Sequence, residues 1–359
     1  MPELFLNGRF VLQRTTGVQR VAREVAAALD RRLEAGQPTP PCTLLLPPAA
    51  RTPAFSRLGI QTVPGPRHAH LWEQWALPRA ARGGLLVNLA GAAPALSVGP
   101  QACLFHDAAV FDHPEAYAPA FAHWYRWLFR RHARIGSRLL TVSAFARQRL
   151  ALALAVPEER FAIVPLSADH LTQVAPDMSV LTSNGLTDRP FLLAVGSANP
   201  TKRLVALVRA WAGLARHDAR LVIAGGSRPQ VFASSERPSV AGVVELGPVG
   251  DPELKALYGA AAGLVFPSVY EGFGLPPLEA MACGCPVAAS SAASVPEVCG
   301  DAALMFDPMD ESALAEAMSA LLDDAALRDH LRERGAARAA AFRWDDSAST
   351  LLKALGSAG

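Results

Sequence analysis

The sequence of 359 residues predicts an α/β protein made of two parallel-sheet domains. Three observations predict it. Short apolar runs alternate with helical patterns from end to end, as in βαβ units. The alternation stops at a polar, irregular stretch, residues 171–189, which holds Pro176, Asn184 and Gly185, and then restarts. The length also fits two domains of roughly 150 residues each. The expected organisation is a first domain at 1–170, a linker at 171–189, a second domain at 190–343 and a closing helix at 344–359.

In the first domain the apolar runs at 4–6, 43–46, 85–88, 102–105, 139–142 and 161–164 have the length of buried strands. Helices are expected at 18–33, 116–135 and 144–155. In the first of these, Val18, Val21, Val25 and Leu29 fall on one helical face. In the second domain, strands are expected at 191–195, 221–224, 243–246, 263–266 and 286–289. Helices are expected at 202–214, 252–260, 275–283, 311–322 and 325–342, with a last one at 345–355. Two such domains leave a cleft between sheet edges, and ligands of open α/β sheets sit beyond the carboxyl ends of strands. Residues that directly follow strands are therefore the candidates for chemistry.

Composition narrows the function classes. Hydrophobic residues make up 51% and charged residues 18%, enough for packed cores and too apolar for disorder. A net charge of +2 argues against a general nucleic-acid binder. No run of about 18 strongly apolar residues is present, so no membrane span is expected. The first residues, Met-Pro-Glu-Leu, lack the basic leader and apolar core of a secretory signal. The five cysteines are scattered, and only Cys283 and Cys285 are close, with no second pair to complete a zinc set. Reduced thiols in a cytoplasmic protein are the expected reading.

The most informative stretch follows the run at 263–266. Glu271-Gly-Phe-Gly-Leu-Pro-Pro-Leu-Glu279 places a glycine turn at the start of a helix. Unpaired backbone N–H groups and the helix dipole there suit a phosphate or a sugar hydroxyl. Glu271 lies in the turn and Glu279 within the helix. At that separation the two carboxylates grip different parts of one extended ligand more readily than they share a proton. Alone, Glu279 would read as a solvated helix residue, but Leu278, Ala280 and Met281 around it are apolar.

This stretch, with Ala-Met-Ala-Cys-Gly-Cys-Pro-Val after it, Ser294-Val-Pro-Glu-Val-Cys-Gly-Asp-Ala-Ala and Phe306-Asp-Pro, resembles the retaining GT-B glycosyltransferases of family GT4. The resemblance implies a GT-B fold, with two Rossmann-like parallel α/β domains facing across a cleft and a C-terminal helix crossing back to the first domain. It implies that Glu271 lies near the donor sugar, that the backbone of Phe273, Gly274 and Leu275 holds sugar hydroxyls and phosphate, and that Glu279 binds the ribose hydroxyls.

Other segments follow strands in the same way. Gly196-Ser-Ala-Asn-Pro-Thr-Lys202-Arg203 opens a helix, where a lysine opposes the dipole unless an anion is present. The resemblance assigns Lys202 to the donor diphosphate. Many members carry an arginine directly after the glycine. Here Ser197 stands in that place, so either Arg203 or another cation substitutes, or the diphosphate is held with one cation fewer. Phe105-His106-Asp107 ends a strand of the first domain, and the resemblance makes His106 a sugar-contacting, catalytic residue beside Asp107, whereas His113 reads as structural. Gly17-Val-Gln-Arg20-Val-Ala-Arg-Glu24 resembles the family loop in which a glycine, here Gly17, approaches the diphosphate. Arg20 and Glu24 are spaced to pair on the helix surface, which is preferred to acceptor contact. Ser143 has the position of a helix N-cap. The resemblance also places it, with Arg147, at the border of the cleft.

Between Glu115 and Glu158 no acidic residue occurs, and seven arginines, from Arg126 to Arg149, accompany Trp124, Tyr125, Trp127, Leu128 and Phe129. That pattern suits an anionic membrane surface or a diphosphate-lipid acceptor. A packed helix with snorkelling arginines explains it equally well.

The resemblance implies transfer of a hexose from a nucleotide sugar to a glycan or lipid-linked acceptor, with retention, in polysaccharide or O-antigen-type biosynthesis. It is nearest to bacterial mannosyltransferase-like members, so GDP-mannose is the first expectation for the donor and a UDP-hexose the second. No D-x-D follows a strand, which fits a metal-free reaction with no cofactor beyond the donor. A cytoplasmic place, peripheral at the inner membrane face, fits this chemistry. Two other readings stay open: a nucleotide-sugar epimerase on the same plan, and a silent nucleotide-sugar-binding subunit.

Overall fold

The apolar runs pair into two wholly parallel sheets in the computed structural model, which describes residues 2–97, 99–226 and 240–356. Residues 1, 98, 227–239 and 357–359 of the expected domain spans lie outside the described residues. The chain divides into two units. The first comprises Met1–Ala108, His123–Leu166 and Trp344–Gly359, and the second Ala109–Ala122 and Ser167–Arg343.

The first unit holds β1 (Leu4–Asn7), β2 (Cys42–Leu46), β3 (Gly59–Thr62), β4 (Leu85–Asn88), β5 (Gln101–Leu104), β6 (Arg138–Thr141) and β7 (Phe161–Ile163), in the order β3-β2-β1-β4-β5-β6-β7. The direction of winding reverses between β1 and β4, which makes their carboxyl ends the switch point of this sheet. Strand β3 was not expected. Its sequence, Gly-Ile-Gln-Thr, is an exposed edge with no apolar run, and it is recruited by pairing with β2 from Thr43↔Gly59 to Leu46↔Thr62.

Helix α1 (Gly17–Glu34) buries Val21, Val25 and Leu29 completely, the face its spacing marked out. The closing helix, Trp344–Gly356, packs on α1: Arg31 Nη2 pairs with Asp345 at 2.9 Å and Arg32 donates to Ser349 at 2.7 Å. Helices α2 (Ala69–Trp75) and α3 (Leu77–Ala80), also unexpected, seat Trp72 and Leu77 against Phe5, Leu45 and Leu86. After β5 the segment Ala109–Ala122, with α4 (Ala109–Asp112), clusters with the second unit. Helix α5 (Pro119–Arg134) begins later than expected, because Pro114–Ala116 forms a separate 3₁₀ turn. Helix α6 (Ala144–Leu154) follows β6.

In the second unit, residues expected as a linker are partly core. Leu171 and, around the short helix α7 (Ser179–Ser183), Val180, Leu181 and Leu186 are buried with the sheet. The strands β8 (Phe191–Val195), β9 (Arg220–Ala224), β10 (Val243–Gly247), β11 (Gly263–Phe266), β12 (Val287–Ser290) and β13 (Leu304–Phe306) lie in the order β10-β9-β8-β11-β12-β13. Successive residues point to opposite faces. Leu193, Val222, Leu264 and Val287 enter one core cluster, while Leu192, Leu221, Val265 and Ala288 enter the other. Both faces are buried, which is why these strands read as unbroken apolar runs. Helices α8 (Leu204–Leu214), α9 (Asp251–Ala260) and α10 (Leu275–Ala282) follow β8, β10 and β11. The switch point lies between β8 and β11.

Candidate functional site

The two loops that leave this switch point are joined to each other. After β8, Asn199 accepts a hydrogen bond from the Thr201 N–H (2.9 Å) and starts a 3₁₀ turn, Pro200–Lys202. The expected helix start at 202 is this turn. Arg203 then takes a left-handed conformation (φ 51°) and α8 begins at Leu204. After β11, the Thr201 carbonyl accepts from the Val269 N–H (2.9 Å) and the Ser268 hydroxyl (3.1 Å). With the loops fixed this way, Lys202 Nζ meets Glu271 Oε1 in a direct ion pair. The ammonium lies 5.5 Å from the centre of the Phe266 ring, a cation–π contact. The Ser294 hydroxyl donates to the Glu271 carbonyl at 3.0 Å and steadies the turn from below.

Glycine is required at the neighbouring strand end. Gly225 has φ 147°, and a Cβ there would stand 1.8 Å from the Gly196 carbonyl oxygen. The ends of β8 and β9 thus approach as only a residue without a side chain permits. Gly274, at φ 96°, likewise turns the chain into α10. Pro276 and Pro277 at the helix start have no N–H to offer. The donors that point out of this end narrow to the backbone N–H groups of Gly274 and Leu275. Phe273 is buried beside them, edge-on to Phe342 at 6.0 Å.

Glu279 is not a solvated helix residue. It is 8% exposed, accepts from the Tyr258 hydroxyl at 3.1 Å, and stands 3.6 Å from His170 Nε2. Burial pushes the Tyr258 phenol well above its ordinary value, and the Glu279 charge adds to this, so the hydroxyl stays a donor. Neither Tyr258 nor His170 was singled out in the sequence. They come from α9 and from a 3₁₀ turn, and no local pattern links them to Glu279.

Ser197, which stands where many members carry an arginine, occupies the loop after β8 and is partly exposed. Arg203 is not brought to Glu271. Its guanidinium lies 3.4 Å from the Met309 sulfur and lines a groove of about 240 Å3 with Asn199, Leu204, Arg209 and Glu311.

In the first unit, His106 follows β5. Its Nε2 donates to the Leu89 carbonyl at 2.9 Å, just beyond β4. Desolvation lowers the ring to about 4, against the pull of the Leu89 bond. The neutral ring therefore carries its proton on Nε2 and presents Nδ1 as an acceptor. Phe105, stacked on Phe129 at 3.9 Å, anchors the strand end, and Asp107 is partly exposed. Gly17 is the exposed first residue of α1. Arg20 pairs with Glu24 at 3.4 Å, the surface pairing expected. Ser143 caps α6 by accepting from the Ala146 N–H at 3.0 Å, and Arg147 pairs with Glu158 at 3.3 Å.

In the second unit, His113 pairs with Glu115 at 3.1 Å and lies edge-on to Tyr270. The Tyr270 hydroxyl donates to Asp112 at 2.7 Å, which clamps α4 against the residue before Glu271. In the aromatic segment of α5, Leu128 and Phe129 are core, while Trp124 and Trp127 are exposed with ring centres 5.1 Å apart. The first unit also carries a buried polar cluster that sequence reasoning missed. Asn7, the last residue of β1, donates to Glu73 (2.8 Å) and to Asn88 (2.9 Å), and Arg9 pairs with Glu73 at 3.1 Å. It cross-links the switch point of that sheet to α2. Among the described residues, no helix is long and apolar enough to cross a membrane.

Comparison with known proteins bears on these arrangements. Residues 189–324 match the family model described as "Glycosyl transferases group 1". The chain is 33% identical over 260 residues to the O-antigen chain mannosyltransferase B of Escherichia coli, covering 70% of this chain and 68% of that protein. It is 33% identical over 204 residues to the serotype-specific mannosyltransferase WbdA of Escherichia coli, covering 54% of this chain but 24% of that longer protein. Among solved structures, the sucrose-phosphate synthase of Thermosynechococcus elongatus superposes over 99% of each chain with a TM-score of 0.74 at 20% identity, a likeness of fold.

Proposed function

Since the chain belongs to the group 1 glycosyl transferases, a glycosyltransferase family with the GT-B fold, we propose that it moves mannose from GDP-mannose to a growing surface glycan. The anomeric configuration is retained in this reading. The observation that carries it is the Lys202–Glu271 pair at the β8/β11 switch point, directly beside the donor-only helix start at Gly274 and Leu275. A ligand that carries negative phosphates and sugar hydroxyls meets there a cation, two N–H donors and a carboxylate acceptor. The names of the similar mannosyltransferases support the choice of sugar and of O-antigen-type acceptor. A UDP-hexose is the second choice of donor.

In this reading each residue has one task. Lys202 and the N–H groups of Gly274 and Leu275 neutralise the diphosphate as it leaves, which supplies the charge stabilisation without a metal. Glu271 holds the donor sugar. Glu279, with Tyr258 fixing one of its oxygens, takes the ribose hydroxyls. His106, neutral, accepts from a sugar hydroxyl at Nδ1. Gly17 gives the diphosphate close backbone approach. The reaction runs in the cytoplasm, and the basic aromatic segment of α5 brings the enzyme to the inner membrane surface and to lipid-diphosphate-linked acceptors.

The test is a donor panel. GDP-mannose, UDP-glucose and UDP-N-acetylglucosamine are each incubated with the protein and mannan oligosaccharides, with and without EDTA, and the product linkage is read by NMR. Transfer from GDP-mannose to an α-linked product, undiminished by EDTA, supports the reading. Isomerisation of a donor without acceptor would favour an epimerase. Nucleotide binding with neither hydrolysis nor transfer would leave a silent subunit.

A further inference from the structure

Between β4 and β5 the chain crosses over through residues 89–100, whose described residues contain no helix, although parallel crossovers are ordinarily helical. The loop stands because side chains from three elements hold its backbone. Gln74 of α2 donates to the Ala93 carbonyl (3.1 Å) and accepts from the Ala95 N–H (2.8 Å). Gln101 of β5 donates to the Pro94 carbonyl (3.1 Å), and Arg131 of α5 to the Ala95 carbonyl (3.1 Å). Between this braced wall and α2–α3 lies a groove of about 530 Å3, within the range of ligand sites. Gly83, Pro100 and Gln101 place it at the amino ends of β4 and β5. His106 and Gly17 lie beyond carboxyl ends, so within the first unit the groove is separate from the residues assigned to transfer.

Its chemistry is one-sided. Trp75 is 53% exposed and Leu96 62%, and both line it. Arg79 and Arg82 line it too, with the Arg79 guanidinium 5.6 Å from the Trp75 ring centre. No aspartate or glutamate lines the groove, and neither arginine has a carboxylate partner among the described residues. The exposed Trp127 precedes Arg131 by four residues, so it extends the apolar surface along the face of α5 that braces the wall.

We propose that this groove binds an anionic amphiphile, with a phosphate head on Arg79 and Arg82 and an apolar chain along Trp75 and Leu96. Two guanidiniums that line one groove without a carboxylate partner, Arg79 held by a hydrogen bond to the Trp75 carbonyl, ask for a phosphate-like anion. An exposed indole and leucine in the same groove ask for hydrocarbon. A free phosphate satisfies only the first demand and a neutral amphiphile only the second. The proposal does not depend on the identity of the donor.

The experiment titrates the full chain with monomeric decyl phosphate, inorganic phosphate and decyl maltoside, following tryptophan fluorescence and calorimetry. Decyl phosphate is expected to saturate at least about tenfold more tightly than either control, and the Arg79→Ser/Arg82→Ser variant to lose at least about tenfold of that affinity. Co-sedimentation with phosphatidylglycerol against phosphatidylcholine vesicles separates the sources. Binding to the former, lost in the double variant, places the head group in a bilayer, and decyl phosphate binding without vesicle binding places it on a single molecule. Equal affinity for inorganic phosphate or for decyl maltoside, or an unchanged double variant, overturns the proposal. Circular dichroism and thermal unfolding of the same variant show that it is folded, and its nucleotide affinity is measured beside them. Because Arg79 and Arg82 belong to the first unit and Lys202 and Glu271 to the second, that affinity is expected to be unchanged, so failure here leaves the transfer reading intact.

Discussion

Lys202 Nζ and the Glu271 carboxylate form an ion pair across 69 residues of sequence, from the two strands that flank the switch point of their sheet. The two charges of the pair neutralise each other. In the proposed reading, a diphosphate laid over the start of α10 offers Lys202 a second anion, so the lysine serves the leaving group while Glu271 turns to sugar hydroxyls.

Lys202→Ala removes the cation and leaves Glu271 as an uncompensated negative charge where further negative charge arrives. The expected loss in kcat/KM for transfer is on the order of 10²-fold to 10³-fold, as for removal of one preorganised stabilising group. Steady-state kinetics on the variant checks it, with Lys202→Arg recovering part of the loss. Activity within about threefold of the parent would mark the pair as a structural ion pair of the kind that contributes little.

Much of this was legible in the sequence, for a physical reason. The strands of the second sheet are buried on both faces, so Leu192–Ala194 and Leu264–Phe266 read as apolar runs. The turn at Gly272–Gly274 shows because only glycine tolerates φ 96° at position 274. Strand β3 did not show, because an exposed edge needs no apolar pattern. Helix α2 did not show either, because its inward face carries Glu73 for Arg9 and Asn7 beside Trp72. The break at Arg203 hid behind a good helical run, and the partners of Glu279 come from two distant elements. Contacts made by the fold, unlike the periodicities that build it, leave no local trace.

Glu279→Ala is expected to weaken nucleotide binding about 10-fold to 100-fold, the cost of losing a hydrogen bond to a charged acceptor. Tyr258→Phe deprives the same carboxylate of its 3.1 Å donor and is expected to weaken binding several-fold in the same direction. Calorimetry with GDP and with UDP on both variants reads the two effects and names the base. Unchanged affinity in Glu279→Ala would place the ribose elsewhere.

His106→Ala is expected to lower kcat by about 10-fold to 100-fold while leaving nucleotide affinity near the parent value, because the residue belongs to the sugar end of the reading. With its ring lowered to about 4, His106 stays neutral and contributes no step to the pH profile between about pH 6 and 8. A rate that falls with an apparent pKa near 6.5 in the parent and not in His106→Asn would show an imidazole that titrates, contrary to this placement.

His132 makes the clearest pH prediction. It is fully buried, 2.9 Å from the Ser137 hydroxyl and 3.5 Å from the Cys103 sulfur. Desolvation by burial lowers it from 6.5 to about 4, outweighing the opposite pull of the Ala93 backbone. Between those values the unfolded chain binds a proton that the native protein does not. Stability is therefore flat above about pH 6.5 and falls as the pH drops through the window. Between pH 7 and pH 5 the contribution of this one ring is on the order of 2 kcal/mol. His70 and His106, both lowered to about 4, act in the same direction. Thermal unfolding at pH 7 and pH 5 should show the parent losing several degrees. His132→Gln, less stable at pH 7, should lose visibly less between the two, since it has no proton to take up. An identical loss in both proteins would mean that His132 does not carry the acid sensitivity.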